Sequence, residues 1–461
     1  LFWVTGIASN LIGLPLAFAL IRYILAVIML IALWHVLGHI FTDAFWRKTA
    51  YAFALLGAGF GWIFWVLGKF IPVFSRLYST DLTYSLGYTL FGTLSFPLSI
   101  AGQALFLIAL LLFLRYMEKP TLRNLILFAF VILLQFFTHL ISSIAFVPIF
   151  IVGMALYFYE NPFRETWNKL KPIILAFIGV AIAVGLYLFW AMQDMVFQQI
   201  FITYGSWIRS ESVFWWILGY GLILVFGLLG LRHLKIEKPM MRSIFWAWLI
   251  TIIFLSLNPW KGMRFQFALF IPLIILATTG LQVFHSHLSH WFPKNFFANR
   301  RHLVLGLLLF MLPGIFLTIY THARDVTNPQ FQYSGSYLSQ DEVDALTSLQ
   351  TKPSAVVLSS YKLGNNLIWM THHYAYLGHW NQTLDREAKE INVQKLFENQ
   401  LSLEEKKLFL VSNRIRYAII TKTETSNEII PPELGKKIYS NSSLEIYEVD
   451  CSCESGLKEI I

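Results

Sequence analysis

Two cations three residues apart, Lys261 and Arg264, stand in the run Asn-Pro-Trp-Lys-Gly-Met-Arg-Phe-Gln at 258–266, with no acid among them. The run is a short hinge between two apolar stretches. A lysine and an arginine held near the end of a membrane span can grip a lipid phosphate through charge-assisted hydrogen bonds, and arginine can make two at once. The ordinary alternative is that both snorkel to the headgroups, which needs no particular ligand. Arg22 lies just inside the first apolar run. A cation at the centre of the hydrocarbon costs on the order of 3 kcal/mol, so it is expected to reach a partner, a lipid phosphate or the interface.

Carboxylates are scarce beside these cations. The first 320 residues hold eight acids, and five of them (Asp43, Glu118, Glu160, Glu165 and Glu237) fall in loops next to Lys or Arg, where solvated pairs account for them. Asp81, Asp194 and Glu211 remain. Asp81 sits in YSTDLTYSLGYTLF among Tyr78, Tyr84 and Tyr88. A carboxylate can take a proton from an attacking hydroxyl, and neighbouring rings can stack on the C–H faces of a sugar. Asp81 is therefore the candidate base, although tyrosines also gather at membrane interfaces for no catalytic reason. Asp194 and Glu211 flank QQIFITYGSWIRS, which carries Arg209, and all three are candidate substrate contacts. So is His139 in FFTHLISS, which could equally be a hydrogen-bonded turn histidine. The run THHYAYLGHWNQT at 371–383 concentrates His372, His373, Tyr374, Tyr376, His379 and Trp380. From it Tyr376, His379 and Trp380 are expected either to line a pocket or to make an interdomain contact.

Other patterns carry less. HSHLSHW at 285–291 has metal-like histidine spacing but no carboxylate or cysteine close by. GAGFGW at 57–62 lies inside an apolar run, so it is no phosphate loop, and Gly57 and Gly61 suit close helix packing. Cys451 and Cys453 read as an incidental tail pair, and Asn381 and Asn441 begin glycosylation sequons. No metal site and no cofactor is evident.

These residues must be carried by a membrane protein. The 461-residue chain is 57% hydrophobic and only 13% charged, against roughly 25% charged in an ordinary soluble domain. Ten runs are long and apolar enough to be read as spans, near 18–41, 49–68, 96–115, 124–138, 140–158, 172–191, 213–231, 242–257, 263–283 and 303–321. Residues 1–17 read as a short helix lying at one face. The chain opens with neither an initiator Met nor a basic leader, so it reads as beginning mid-protein.

Fifteen cations, among them Arg47, Lys119, Lys171, Lys238 and Arg301, fall in loops on one side, and five (Lys69, Arg76, Arg209, Lys261 and Arg264) on the other. Loops rich in Lys and Arg stay in the cytoplasm, which puts the hinge at 258–266 and everything after residue 322 outside. The basic charge belongs to these flanking loops: residues 1–320 carry +13 and residues 321–461 carry −4. Nucleic-acid binding is not indicated.

The tail from 323 reads as a small extracytoplasmic α/β domain following a transmembrane domain at 1–322. Ser339 and two early acids open a helix at 339–350, with further helices at 385–400 and 401–413. AVVLSS (355–360), RYAIITK (416–422) and SSLEIYEV (442–449) read as strands.

The order GAGFGW, DLTYSLGYTLFGTLSFPL, FTHLISS, WWILGYGLIL, KGMRFQFALFIPLIIL, YLGHWNQT, DREAKEINVQKLF and RYAIITKTE resembles a group of bacterial multi-pass membrane proteins similar to the GT-C glycosyltransferases. It extends over nearly the whole chain. The resemblance implies an α-helical polytopic membrane domain with a small extracytoplasmic α/β domain, in the inner or plasma membrane. It also implies an enzyme that moves a sugar from a polyprenyl-phosphate carrier to an acceptor outside the cytoplasm. Its partners would then be membrane lipid and the lipid-linked sugar, and the class leaves room for a divalent metal that these residues do not indicate. Lys261 and Arg264 carry over as phosphate contacts and Asp81 more loosely. The class keeps a catalytic carboxylate in the loop after its first span, and no such span and loop precede the apolar runs here, so the 461 residues alone are expected to be inactive. A lipid or saccharide transporter or flippase, and a non-catalytic membrane scaffold, are the alternatives. A transporter would show mid-membrane charges and repeated halves, and neither stands out.

Overall fold

The computed structural model describes residues 2–74, 97–194, 197–199, 213–257, 262–291, 296–327, 338–378, 383–422 and 429–449. The chain divides into two compact units, residues 1–192 with 206–320, and residues 193–205 with 321–461.

The first unit is helical because lipid offers no partner for a peptide group, so each crossing segment must bond its own backbone. Its helices are α1 (Phe2–Ile12), α2 (Leu14–Gly38), α3 (Ala44–Leu56), α4 (Gly61–Leu67), α5 (Pro97–Glu118), α6 (Leu122–Thr138), α7 (Leu140–Glu160) and α8 (Phe163–Ala191). They continue as α9 (Val213–Gly230), α10 (Pro239–Ser256), α11 (Phe270–Trp291) and α12 (Arg300–Thr327), with a 3-10 segment at Gly262–Ala268. Each of the ten expected spans meets helix. Among the described residues seven helices are long and apolar enough to cross a membrane, rising to eight if the bent pair α3–α4 is one span. The segments at 122–138 and 214–230 are shorter apolar helices. The chain is an integral, multi-pass membrane protein.

The bend of 46° between α3 and α4 has a local cause. The expected continuous span at 49–68, with its glycines as a packing face, is a broken helix. Gly57 ends α3 in an extended conformation, and the Phe60 N–H donates to the Leu218 carbonyl at 3.0 Å. A Cβ on Gly59 would stand 1.8 Å from the Gly219 carbonyl oxygen. The partner α9 is itself kinked, at Gly221 with φ 50° and ψ −125°. The Phe60–Leu218 bond joins the two interruptions and satisfies a backbone donor freed by the break.

Three ion pairs join one end of the bundle: Lys238 to Glu118 at 2.6 Å, Arg242 to Glu160 at 2.7 Å and Arg300 to Asp43 at 3.1 Å. All six residues lie at or near helix ends that the alternation of spans assigns to a single side. The pairs are half exposed, and such pairs are worth about 0–1 kcal/mol each.

The second unit is an α/β sandwich. Its helices are α13 (Gln340–Leu349), α14 (Tyr361–Met370), α15 (Arg386–Phe397) and α16 (Leu403–Ser412). Its strands are β1 (Val356–Leu358), β2 (Tyr374–Ala375), β3 (Ile415–Thr421), β4 (Gly435–Ser440) and β5 (Leu444–Val449), in the order β2-β1-β3-β5-β4. β1 runs parallel to β2 and β3, while β5 runs antiparallel to β3 and β4.

Alternate residues of β3 face opposite sides. Tyr417 and Ile419 enter a core with Leu346, Leu349, Leu363 and Leu367 of α13 and α14. Ala418 and Ile420 enter another with Val393, Leu396 and Leu410 of α15 and α16. That double burial is why RYAIIT is a continuous apolar run rather than an alternating one. Capping boxes at Ser339/Glu342 and Ser402/Glu405 start α13 and α16. The short strand β2, the edge strand β4 and helix α14 are elements that the sequence reading does not contain.

Candidate functional site

Three segments of the helical unit bring polar groups together inside an apolar bundle. The first is the one-residue break between α6 and α7. Thr138 ends α6, His139 is extended at φ −154° and ψ 95°, and α7 begins at once. There the His139 Nδ1 and the Ser142 Oγ lie 2.6 Å apart, and the His139 ring is 6.4 Å from that of Phe267. The second is α5 at Gly102 and Gln103. A Cβ on residue 102 would stand 2.1 Å from Ser142 Oγ and 3.4 Å from His139 Nδ1, so only glycine admits the α7 serine this close. From below, Gln135 Nε2 donates to the Gly102 carbonyl over a long 3.4 Å.

The third is the 3-10 segment, which carries Arg264 on its backbone and packs against α7, α10 and α11. Where it gives way to α11, two side chains hold consecutive carbonyls. Gln103 Nε2 donates to Phe267 O at 3.3 Å, and Trp248 Nε1 of α10 donates to Ala268 O at 2.8 Å. Without them these carbonyls would lie buried and unpaired. The C-terminal end of the segment that includes Arg264 is thus held by side chains of two helices, α5 and α10.

Two polar atoms of this cluster have no hydrogen-bond partner among the described residues. They are Gln135 Oε1 and Gln266 Nε2, on side chains that are fully buried or nearly so. An orphaned buried polar group costs about 1–3 kcal/mol. A glutamine at such positions is therefore a poor choice for stability alone. His139, Ser142, Gln103, Gln135 and Gln266 together form a small set of donors and acceptors at and beside the segment whose backbone includes Arg264. Of this set the sequence reading names only His139. The signal that marks Gln103 and Gln135 is an uncharged polar residue inside an apolar span.

Asp81, Lys261, Arg209, Glu211, His379 and Trp380 lie outside the described residues, and for Arg264 the backbone alone is described. Arg22 is half-buried on α2, its guanidinium 5.1 Å from the Tyr23 ring. Asp194 is exposed and accepts from the Phe197 N–H at 3.1 Å, capping a helical turn in the second unit.

Tyr376 belongs to the core of the second unit, packed edge-on against Phe409 at 5.5 Å and beneath Lys389 at 4.9 Å. Burial raises its hydroxyl pKa, partly offset by a hydrogen bond from Asn392. His373 bonds the Leu349 carbonyl at 2.9 Å and accepts the Ala355 N–H at 3.1 Å, and His372 reaches the Lys352 carbonyl at 2.7 Å. Both are clips between α13 and the sheet. His285 and His287 likewise each meet a backbone carbonyl, at 2.9 and 2.8 Å, and no group of three metal-ligating side chains occurs among the described residues.

Neither a family model nor a curated protein sequence matches the chain. Solved structures do match. ArnT from Cupriavidus metallidurans in the apo state superposes with a TM-score of 0.53 at 13% identity, covering 98% of this chain and 87% of that one. The same enzyme bound to undecaprenyl phosphate gives 0.51 at 13% identity, covering 96% and 86%. The oligosaccharyltransferase of Archaeoglobus fulgidus in the apo form gives 0.53 at 12% identity, covering 91% of this chain and 61% of that one. The chain therefore matches about 61% of the length of the archaeal enzyme. At these identities the likeness is one of fold, and the fold is the GT-C arrangement that the order of motifs implied: a polytopic helical domain followed by a small α/β domain.

Proposed function

We propose that the chain is a GT-C-type membrane glycosyltransferase that moves a sugar from a polyprenyl-phosphate carrier to an acceptor on the outer side of the membrane. The observation that carries this reading is the fold shared, over 96% of the chain, with ArnT bound to undecaprenyl phosphate. The polar cluster beside the hinge supports it from the chemistry.

Cleavage of a sugar–phosphate bond leaves negative charge on the lipid phosphate. Preorganised cations and N–H donors in a water-poor site stabilise that charge more than they stabilise the bound ground state. Lys261 and Arg264 take that role, with Gln103 and Trp248 fixing the turn that bears Arg264. His139 and Ser142 supply a donor–acceptor pair to the sugar hydroxyls. Asp81 is the base that receives the proton of the acceptor hydroxyl. In this reading the second unit lies outside the cytoplasm, and membrane lipid and the lipid-linked sugar are the partners.

The test is transfer of radiolabelled sugar from an undecaprenyl-phosphate donor pool, in membranes expressing the gene's entire product, for wild type, Arg264→Ala and Asp81→Asn. Each substitution is expected to reduce transfer at least about a hundredfold, the loss seen when one charge-stabilising donor is removed. Unchanged turnover in both would remove these roles.

A further inference from the structure

The end of the sheet where β1, β2, β3 and β4 begin and β5 finishes is hollowed into an open cavity of about 720 Å³. Its lining includes Tyr374, Arg414, Arg416, Glu433, Lys436 and Glu448. Arg416 is engaged with Glu448 at 3.3 Å. Arg414 and Lys436 make no ion pair among the described residues. Two cations thus face a single unengaged acid, Glu433, within a stretch of chain, 321–461, whose net charge is −4. The groove is electropositive against its own background.

Arg414 holds an unusual backbone position. It follows the C-cap Asn413 of α16 with φ 53°, the left-handed conformation in which helices commonly end on glycine. A side-chain-bearing residue there costs about 1 kcal/mol, so folding alone favours glycine or asparagine. Tyr374, at the opposite edge of the sheet, is 68% exposed, so its ring face is open. Strands lie about 4.8 Å apart, so the lining from β2 to β4 extends over roughly 19 Å, longer than one sugar ring. The volume falls within the roughly 300–1,000 Å³ of small-ligand sites.

We propose that this groove binds an anionic oligosaccharide. Its carboxylate or phosphate groups meet the Arg414 fork and the Lys436 ammonium. One ring stacks on Tyr374, and Glu433 accepts from ring hydroxyls. The inference concerns binding only and stands whether or not the chain transfers sugar.

The experiment is calorimetric titration of the entire chain in nanodiscs of zwitterionic lipid with three probes. These are tetragalacturonate, the neutral maltotetraose of equal length, and inorganic phosphate. Tetragalacturonate is expected to bind at least about tenfold more tightly than either of the others. Arg414→Asn, which keeps a residue tolerant of the left-handed backbone, and Lys436→Gln should each weaken it about tenfold. Tyr374→Ala should weaken both saccharides, and Lys407→Gln, a charge change on exposed α16 outside the groove, should change nothing. Arg414→Gly serves as a second charge-removing variant at the same backbone conformation, and each variant's melting is checked against wild type. Equal affinity for the neutral sugar, phosphate binding as tight as tetragalacturonate, or full affinity in the folded Arg414 and Lys436 variants would each overturn the proposal.

Discussion

Replacing Trp248 by phenylalanine isolates the device that fixes the hinge. The indole donates to Ala268 O at 2.8 Å and lies edge-on to Phe106 at 4.8 Å. Phenylalanine keeps most of the ring contact and loses the donor, leaving a buried carbonyl unpaired at the end of the 3-10 segment. Stranding such a group costs about 1–3 kcal/mol, while hydrogen bonds within a membrane bundle average nearer 0.6 kcal/mol. Trp248→Phe should therefore cost about 1–2 kcal/mol. Gln103→Leu, removing a longer bond of 3.3 Å, should cost about 0.5–1 kcal/mol. The two bonds hold adjacent carbonyls, so the double mutant should depart from additivity by about 0.5 kcal/mol or more.

Circular dichroism melting in detergent reads the losses as falls of about 2–4 °C per kcal/mol. Sugar transfer at a temperature where each variant is fully folded should fall further than stability accounts for, because the turn carries Arg264. A Trp248→Phe protein that melts and turns over as wild type, or a strictly additive double mutant, would refute the idea that these two side chains hold the turn together.

Gly59→Ala places a methyl 1.8 Å from the Gly219 carbonyl oxygen and should cost about 1–3 kcal/mol by forcing the two broken helices apart, seen as lowered apparent melting. Gly179→Ala on α8, where no atom lies within 4 Å of the added carbon, should be neutral or raise it. In the second unit, burial and then the Glu445 hydrogen bond push the Tyr447 hydroxyl up to about 12. The folded value lies above the ordinary 10, so this stabilisation is complete below pH 10 and is lost as pH rises from 10 towards 12. Tyr447→Phe should melt with a shallower pH dependence across that window. Single cysteines introduced at 258–266 should react with a membrane-impermeant maleimide added outside intact cells. Labelling only after permeabilisation would put the hinge, and the proposed phosphate site, on the wrong side.

The helices were legible in the sequence because twenty-odd apolar residues in lipid have few options, and the three ion pairs at one end follow from the same counting of loops. The interruptions were not. The glycines at 57, 59 and 61 suit a packing face as well as a break, and the contact that accompanies the break, to Gly219, is made by a residue 160 positions away in sequence. The cluster beside the hinge was half legible. His139 stands out as a titratable group, whereas the partners of Gln103 and Gln135 are carbonyls on other segments that the sequence does not reveal. In the second unit RYAIIT announced itself by composition, while β2, two residues long, has too little sequence to signal anything. Arg414 is the opposite case: its chemistry is plain, but its left-handed backbone and its place at the mouth of the groove exist only in the folded sheet.

Whether a phosphorylated polyprenyl lipid is held at the hinge can be read by native mass spectrometry of the purified chain with undecaprenyl phosphate against an equimolar phosphatidylglycerol competitor. One undecaprenyl phosphate is predicted to bind each chain and to survive the competitor, with retention falling at least about tenfold in Arg264→Ala. Binding that phosphatidylglycerol displaces freely, or that Arg264→Ala leaves intact, would contradict it.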